Sequence, residues 1–196
     1  ILRKYKKTGK PLDELDSFIC LQLNDTHPVI AIPELMRLLQ KEGLDFERAF
    51  AVCRRVFNFT NHTIMCEALE KWEERSVHDL LPQVWEEIVK LQVRIEHENL
   101  DRGKYFIIRD GIIHMANLAI YVAAKVNGVA RIHTDILKND TFRDWYALYP
   151  EKFVNVTNGV TPRRWLMLNN PELCGEITRR IGDGWQKDLT KLSEMT

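Results

Sequence analysis

The 196-residue sequence predicts an α/β fold with parallel strands. Short apolar segments of strand length alternate with longer segments whose apolar residues recur at helical spacing, and short loops join them. Three strand-to-helix turns carry clusters of polar side chains, at residues 24–27, 61–63 and 157–161. Because α/β proteins usually bind their ligands at the carboxyl ends of parallel strands, these turns are the candidate site.

In the first half of the chain, the period of the apolar residues separates strands from helices. Apolar runs or strict alternation indicate strands, which lie at residues 17–21 and 57–60. Apolar residues three and four apart indicate helices, which lie at residues 29–40, 46–56, 64–72 and 76–100. Asp45 is placed as the N-cap of the second helix, and Pro82 breaks the last one. The polar face of that last helix is predicted to be solvated and comprises Glu86, Glu87, Lys90 and Arg94.

The second half continues the alternation of strands and helices. Predicted strands lie at residues 105–109 and 153–156. Predicted helices lie at residues 114–125, 134–137, 142–148, 163–168, 171–181 and 184–192. Asp110-Gly111 is typical of a hairpin turn, and Thr134 is placed to cap a helix.

Composition excludes several classes of function. Lys plus Arg equals Asp plus Glu at 28 each, so the charge favours neither nucleic acid nor an anionic membrane as a partner. No apolar stretch approaches the roughly 20 residues that span a bilayer. The four cysteines are widely spaced without a C-x-x-C motif, which suits a reducing cytoplasm, and Cys20 and Cys53 are predicted core residues.

The polar turns allow more than one interpretation. Thr26 or Asp25 is placed to cap the helix that follows, a purely structural role. Asp25, His27 and His62 form a set that a metal hydrolase could use, although no further ligand follows at a fixed spacing. The turns are also rich in neutral groups suited to sugar hydroxyls, which both donate and accept hydrogen bonds. These groups are Asn24, Thr26, Asn61, Thr63, Asn158 and Thr161.

Several sequence blocks resemble the α-glucan phosphorylase family, which comprises the glycogen, starch and maltodextrin phosphorylases. The blocks are QLNDTHP (22–28) with AIPELMR (31–37), TNHT (60–63), EALEKW (67–72), VNGVARIH (126–133) and TNGVTPRRW (157–165). They occur in the family's order and at similar spacing from about residue 17 to the end.

The resemblance implies part of a GT-B type two-domain glycosyltransferase with Rossmann-like halves, here incomplete. Residues 1–160 are then the C-terminal part of the N-terminal glucan-phosphorylase domain. Residues 161–196 are the first helices of the C-terminal, cofactor-binding domain. We therefore expect a fragment that is inactive by itself.

The activity implied for the parent enzyme is phosphorolysis of terminal α-1,4-glucosidic bonds of a glucan. Inorganic phosphate is the second substrate, and glucose 1-phosphate is released with retention of configuration. The implied cofactor is pyridoxal 5′-phosphate, whose phosphate group relays a proton and whose Schiff-base lysine lies outside this chain. The parent enzyme is expected to be a cytoplasmic homodimer, in a family that includes allosteric enzymes.

The resemblance also implies roles for individual residues. His62 is implied to be catalytic, beside the glucosyl unit, and Asn158 to contact the O6 hydroxyl with it. The implied substrate-binding residues are Asp25, His27, Ala68, Glu70 and Val129. Trp165 is implied to form a wall of the cofactor pocket, and no metal is implied. The alternative is a non-catalytic carbohydrate-binding or structural module of the same fold.

Overall fold

The structure is a computed structural model that describes residues 1–98 and 100–195, without the side chain of Cys66. Asn99, near the end of the helix predicted at residues 76–100, is therefore outside the described residues. The chain divides into two compact units, Ile1–Thr157 and Asn158–Thr196.

The first unit is built on a four-stranded parallel sheet, which confirms the predicted α/β class. Its strands are β1 (Leu21–Asn24), β2 (Phe57–Thr60), β6 (Val126–Gly128) and β7 (Phe153–Asn155), in the spatial order β1-β2-β6-β7. The register pairs Asn24 with Thr60, and Thr60 with Asn127. All four strands therefore end at the same edge of the sheet.

A second, antiparallel sheet is inserted between β2 and β6. Its strands are β3 (Lys71–Glu73), β4 (Ile108–Arg109) and β5 (Ile112–His114), in the spatial order β3-β5-β4. The turn between β4 and β5 is the predicted one, with Asp110 and Gly111 both at positive φ.

Helices cover the sheets and supply most of the core. Those of the first unit are α1 (Leu2–Lys6), α2 (Ala31–Lys41), α3 (Phe46–Val56), α4 (Glu74–Leu80), α5 (Pro82–His97), α6 (Met115–Val122), α7 (Arg131–Ile136) and α8 (Arg143–Leu148). The second unit contains α9 (Pro171–Ile181). Asp45 caps α3 as predicted, since its side chain accepts a hydrogen bond from the backbone N–H of Arg48 at 2.8 Å. Every residue of α6 except Asn117 is buried, so this helix forms the centre of the core.

Short segments of other helix types complete the described part of the chain. The 3₁₀ segments are Leu12–Ser17, Cys66–Ala68, Pro150–Lys152, Asp183–Gln186 and Leu189–Met195. The π-helical segments are Leu137–Thr141 and Arg164–Leu168. In the described part of the chain, no helix is both long and apolar enough to cross a membrane.

Two predictions were wrong because long-range strand pairing decides the structure. The strand predicted at residues 17–21 lies instead at Leu21–Asn24, where its backbone pairs with β2. The helix predicted at residues 64–72 is replaced by a 3₁₀ turn and by β3, whose Trp72 pairs with Ile113. Local periodicity carries no information about such partners.

Other predictions were wrong because a side chain has a specific partner. Glu87 is buried rather than solvated, since Gln40 Nε2 donates to its carboxylate at 2.5 Å and Lys90 Nζ at 2.6 Å. Thr134 lies inside α7, where its hydroxyl donates to the carbonyl of Ala130 at 2.9 Å, rather than capping it. Cys20 is exposed, whereas Cys53 is buried as predicted.

Differences at the C-terminal end are of the same kind. The helix predicted at residues 184–192 is two 3₁₀ segments. Trp185 in the first of them is fully buried, and its indole N–H donates to Thr178 Oγ1 at 3.2 Å. The packing of the buried Trp185 side chain therefore overrides the weak helix propensity of this segment and determines its backbone conformation.

Candidate active site

The carboxyl edge of the parallel sheet holds the first two polar turns close to one another. Backbone hydrogen bonds continue past the ends of the strands: Asp25 N donates to Thr60 O at 2.8 Å, and Asn61 N donates to Asn127 O at 3.0 Å. The turn after β1 is thereby tied to β2, and the turn after β2 to β6. Pairing with the sheet thus fixes the backbone of both turns that carry the candidate residues.

A chain of side-chain hydrogen bonds connects the three adjacent strands β1, β2 and β6 just below this edge. Gln22 Nε2 donates to Thr60 Oγ1 at 2.7 Å, and the Thr60 hydroxyl donates to Asn127 Oδ1 at 2.8 Å. Asn127 Nδ2 in turn donates to the carbonyl of Gly128 at 3.1 Å. Such a connected network holds neighbouring strands in register and limits their movement.

His62 and Asn24 meet across the turn that follows these strands. His62 Nε2 lies 2.5 Å from Asn24 Oδ1, and both residues are exposed. Because an amide oxygen only accepts hydrogen bonds, Nε2 carries the proton in this contact. In the neutral ring, Nδ1 is then an acceptor that is available to a ligand hydroxyl.

His27 and Glu70 form a second pair at the same edge. His27 Nδ1 lies 3.1 Å from Glu70 Oε1. The hydrogen bond to the Glu70 carboxylate, and then its charge, raise the pKa of the His27 imidazole above its ordinary value. The second carboxylate oxygen of Glu70 is buried and has no hydrogen-bond partner among the described residues.

Asp25 adopts an unusual backbone conformation at the end of β1. Its φ is 65°, in the left-handed region that non-glycine residues rarely occupy. Its Oδ1 accepts from the backbone N–H of Thr26 at 2.8 Å, so the carboxylate stabilises the turn itself. The alternative that Asp25 or Thr26 caps the helix is wrong, because α2 begins only at Ala31 and Ile30 holds the N-cap position.

Ala68 and Val129 lie at the ends of other elements of the first unit. Ala68 is exposed at the end of the 3₁₀ turn that leads to Glu70. Val129 is half-buried directly after β6, and its backbone N–H donates to His133 Nδ1 at 3.0 Å. Both are small apolar surfaces and offer no reactive group.

Asn158 and Trp165 belong to the second unit. Asn158 is exposed at the start of that unit, and the side chain of Trp165 is 50% exposed on the π-helical segment Arg164–Leu168. An exposed amide and an exposed indole face are both available to a ligand or to further protein.

A comparison with models of protein families identifies the family of this chain. The model of the carbohydrate phosphorylases matches residues 1–196. The chain belongs to the carbohydrate phosphorylase family. Its similar relatives include bacterial and mammalian enzymes at about 40% identity, which agrees with the resemblance read from the sequence blocks.

Three of these relatives show the range of the family. A maltodextrin phosphorylase of Streptococcus pneumoniae is 42% identical over 187 residues, 95% of this chain and 25% of the relative. A glycogen phosphorylase of Chlamydia trachomatis is 41% identical, over 100% of this chain and 25% of the relative. The brain form of glycogen phosphorylase from Rattus norvegicus is 43% identical, over 90% of this chain and 23% of the relative. The chain thus spans about a quarter of the length of these relatives.

The metal-hydrolase alternative finds no support in the site of this phosphorylase-family chain. Among the described residues, no three His, Cys, Asp or Glu side chains converge into a group that could hold a metal ion. His62 is engaged by the amide of Asn24, and His27 by the single carboxylate of Glu70.

Two features of the site were not predicted from the sequence. Asn24 was recognised as a polar turn residue, but its contact with His62 depends on the β1–β2 register. The Gln22–Thr60–Asn127 network was missed altogether. Polar residues at adjacent positions of neighbouring strands are the signal that could have revealed it.

Proposed function

We propose that this chain is part of an α-glucan phosphorylase. In this proposal the parent enzyme cleaves a terminal α-1,4-glucosidic bond with inorganic phosphate and releases glucose 1-phosphate. Family membership supports the class of reaction, and the printed names of the relatives include both maltodextrin and glycogen phosphorylases. The substrate class is therefore α-1,4-glucans.

The convergence of amide, imidazole and carboxylate hydrogen-bonding groups at one sheet edge is the observation that carries the proposal. The Asn24–His62 and His27–Glu70 pairs both stand there, on turns fixed by the sheet. A hexose presents hydroxyls that each donate and accept, and it needs groups of both kinds held rigidly. We assign His62 to the glucosyl unit, with Asp25, His27 and Glu70 lining the adjacent pocket.

Within this assignment, each residue has a distinct role in binding the sugar. Asn24 holds the proton of His62 on Nε2, so that Nδ1 faces the sugar as an acceptor. Glu70 holds His27 and favours its protonated form, which places a hydrogen-bond donor at the pocket wall. Asn158 would add an amide to the O6 hydroxyl, while Ala68 and Val129 provide apolar contact.

The residues present fit one wall of a pyridoxal phosphate site. The half-exposed indole of Trp165 offers a flat face against which a pyridine ring can pack. When bound, the cofactor supplies a phosphate group that relays a proton during phosphorolysis. We propose that residues outside this chain provide the Schiff-base lysine.

The proposal extends to the domain arrangement and oligomeric state of the parent enzyme. We propose a GT-B arrangement in which residues 1–160 close the N-terminal domain and residues 161–196 begin the cofactor-binding domain. A cytoplasmic homodimer is proposed on the same family grounds. Because this chain spans about a quarter of the length of its relatives, the isolated chain is proposed to be inactive.

Phosphorolysis of a maltooligosaccharide tests the proposal. The 196-residue chain and the longest open reading frame that contains it are each incubated with phosphate and pyridoxal phosphate. We expect only the longer protein to release glucose 1-phosphate. Turnover by the short chain would contradict its proposed inactivity. If both the short chain and the longer protein bind sugar but neither turns it over, the alternative of a non-catalytic carbohydrate-binding module is favoured.

A further inference from the structure

Asn61 is fully buried directly after β2, next to the exposed His62. Its backbone N–H donates to the carbonyl of Asn127 at 3.0 Å, which ties it to β6. By sequence, Asn61 belongs with the polar side chains suited to sugar hydroxyls, but a side chain without exposed surface does not reach a ligand. Its amide group therefore acts within the protein.

The side-chain oxygen of Asn61 holds the backbone on the far side of His62. Oδ1 accepts a hydrogen bond from the backbone N–H of Thr63 at 3.1 Å, two residues further along the chain. This contact is an Asx turn, in which the side chain takes the place of a backbone carbonyl and closes a turn around the residue between. The enclosed residue is His62.

Few other contacts hold the backbone of this loop. Within the described part of the chain, residues 62–64 make no backbone-to-backbone hydrogen bond. Ile64 and Met65 are 43% and 55% exposed, so packing in the core does not fix them. Thr63 Oγ1 accepts from the backbone N–H of Met65 at 3.2 Å, which holds the loop further on. The Asx turn therefore fixes the backbone on the C-terminal side of His62.

The two ends of the Asn61 amide differ in what they contact. Oδ1 accepts from Thr63, whereas Nδ2 is buried and has no hydrogen-bond partner among the described residues. A buried donor without a partner is unfavourable, and native proteins keep few of them. An asparagine at this position is thus explained by its acceptor end. Serine is smaller and would keep an acceptor for the same turn without the unpaired donor.

We propose that Asn61 is a positioning residue for His62. The Asx turn sets the direction in which the His62 side chain leaves the backbone, so that its imidazole meets Asn24 Oδ1 at 2.5 Å. Because a displacement of about 1 Å at a site can lower a rate about 10²-fold, a turn that holds His62 serves catalysis without touching the substrate. The catalytic part of this inference rests on the proposed function, while the structural part does not.

Two variants that differ by one hydroxyl, Asn61→Ala and Asn61→Ser, isolate the acceptor because they leave similar space in the core. In the ¹⁵N-labelled 196-residue chain, we expect Asn61→Ala to speed hydrogen exchange of the Thr63 amide about tenfold and to weaken the His62 Nε2–H signal. Asn61→Ser should retain both. Asn58→Ala, at an asparagine of β2 whose side chain contacts Cys20, is the control and should resemble the parent chain.

Unchanged exchange of the Thr63 amide in Asn61→Ala would overturn the proposal. Equal changes in Asn61→Ala and Asn61→Ser would also overturn it, because they would show that the volume of the side chain matters and not its acceptor.

Kinetics of the longest protein that contains this sequence test the catalytic part. We expect Asn61→Ala to lower kcat for phosphorolysis of a maltooligosaccharide about tenfold with little change in KM, and Asn61→Ser to restore most of it. In a His62→Ala background, Asn61→Ala should have no further effect, because it acts through His62. An equal loss in both backgrounds would overturn the positioning role. If His62→Ala itself leaves the activity unchanged, the proposed function of His62 fails, and the exchange of the Thr63 amide still decides the structural part.

Discussion

The imidazole of His62 and the side-chain oxygen of Asn24 are 2.5 Å apart at the carboxyl edge of the parallel sheet. This contact joins the turns after β1 and β2 and holds the ring proton of His62 on Nε2. We expect Asn24→Ala to release the ring. The hydrogen-bonded Nε2–H of His62 should give a downfield NMR signal in the parent chain.

That signal should disappear in the Asn24→Ala variant, because the proton then exchanges freely with water. Asn169→Ala, which changes an exposed asparagine of the second unit, is the control and should leave it intact. Persistence of the signal in Asn24→Ala would show that another group holds the ring.

Glu70 is expected to control the protonation of His27. A raised pKa means that His27 stays protonated beside Glu70 to a higher pH than a free histidine does, and that the His27⁺–Glu70⁻ pair is lost as the pH rises through that raised value. In Glu70→Gln the negative charge is gone, so the pKa of His27 should fall toward its ordinary 6.5. NMR titration of the imidazole measures this directly.

Glu67→Gln is the matched control, since this exposed carboxylate lies in the same segment. It should leave the His27 titration unchanged. An equal fall in both variants would mean that the general negative charge of the segment, and not the 3.1 Å contact, raises the pKa.

Lys152 is expected to make stability depend on pH. Its ammonium is buried and donates to the carbonyls of Ile120 and Tyr121, both at 2.8 Å. Burial first, and then the charge of Arg54, lower its pKa from 10.5 to about 7. Between these values the unfolded chain binds more protons than the folded one, so this residue adds stability as the pH rises.

Urea unfolding of Lys152→Met tests this expectation. The stability of the parent relative to the variant should grow as the pH rises from about 7 toward 10.5. Lys125→Met, which changes an exposed lysine, should show no such trend. A pH-independent difference would mean that Lys152 has an ordinary pKa.

Gly128 is expected to tolerate no side chain at the end of β6. A Cβ there would lie 2.4 Å from Thr134 Oγ1 and 2.9 Å from the Thr134 Cα. Because the second contact is with backbone, movement of a side chain cannot relieve it. Gly128→Ala should cost about 1–3 kcal/mol of unfolding free energy.

Gly175→Ala is the opposite case and serves as the control. It lies inside α9 with nothing within 4 Å of the added Cβ, so this change should stabilise by about 0.5–1 kcal/mol. Urea unfolding of the two variants measures both changes in unfolding free energy. A neutral Gly128→Ala would mean that α7 can move away from β6.

What the sequence could predict was limited to what is local. The bounds of α3 were predicted in full, because its N-cap and its apolar period lie within the segment itself. β3 was missed, because its identity as a strand depends on pairing with β5, about 40 residues further along the chain.

The candidate site divides in the same way. The strand-to-helix turns could be found from polar residues after apolar runs. The pairing of His27 with Glu70, 43 positions away, and of Asn24 with His62, 38 away, follows from tertiary structure alone. The resemblance named His27, Glu70 and His62, but it did not give these contacts.

His62 is proposed to contact the glucosyl unit that is transferred. The most direct measurement is kcat/KM for phosphorolysis of a maltooligosaccharide by the longest protein that contains this sequence, with His62→Ala compared against His78→Ala. His78 is an exposed histidine of α4 that contacts Asp79. We expect His62→Ala to lower kcat/KM by about 10²-fold and His78→Ala to leave it unchanged. Equal activity of the two variants would contradict the account.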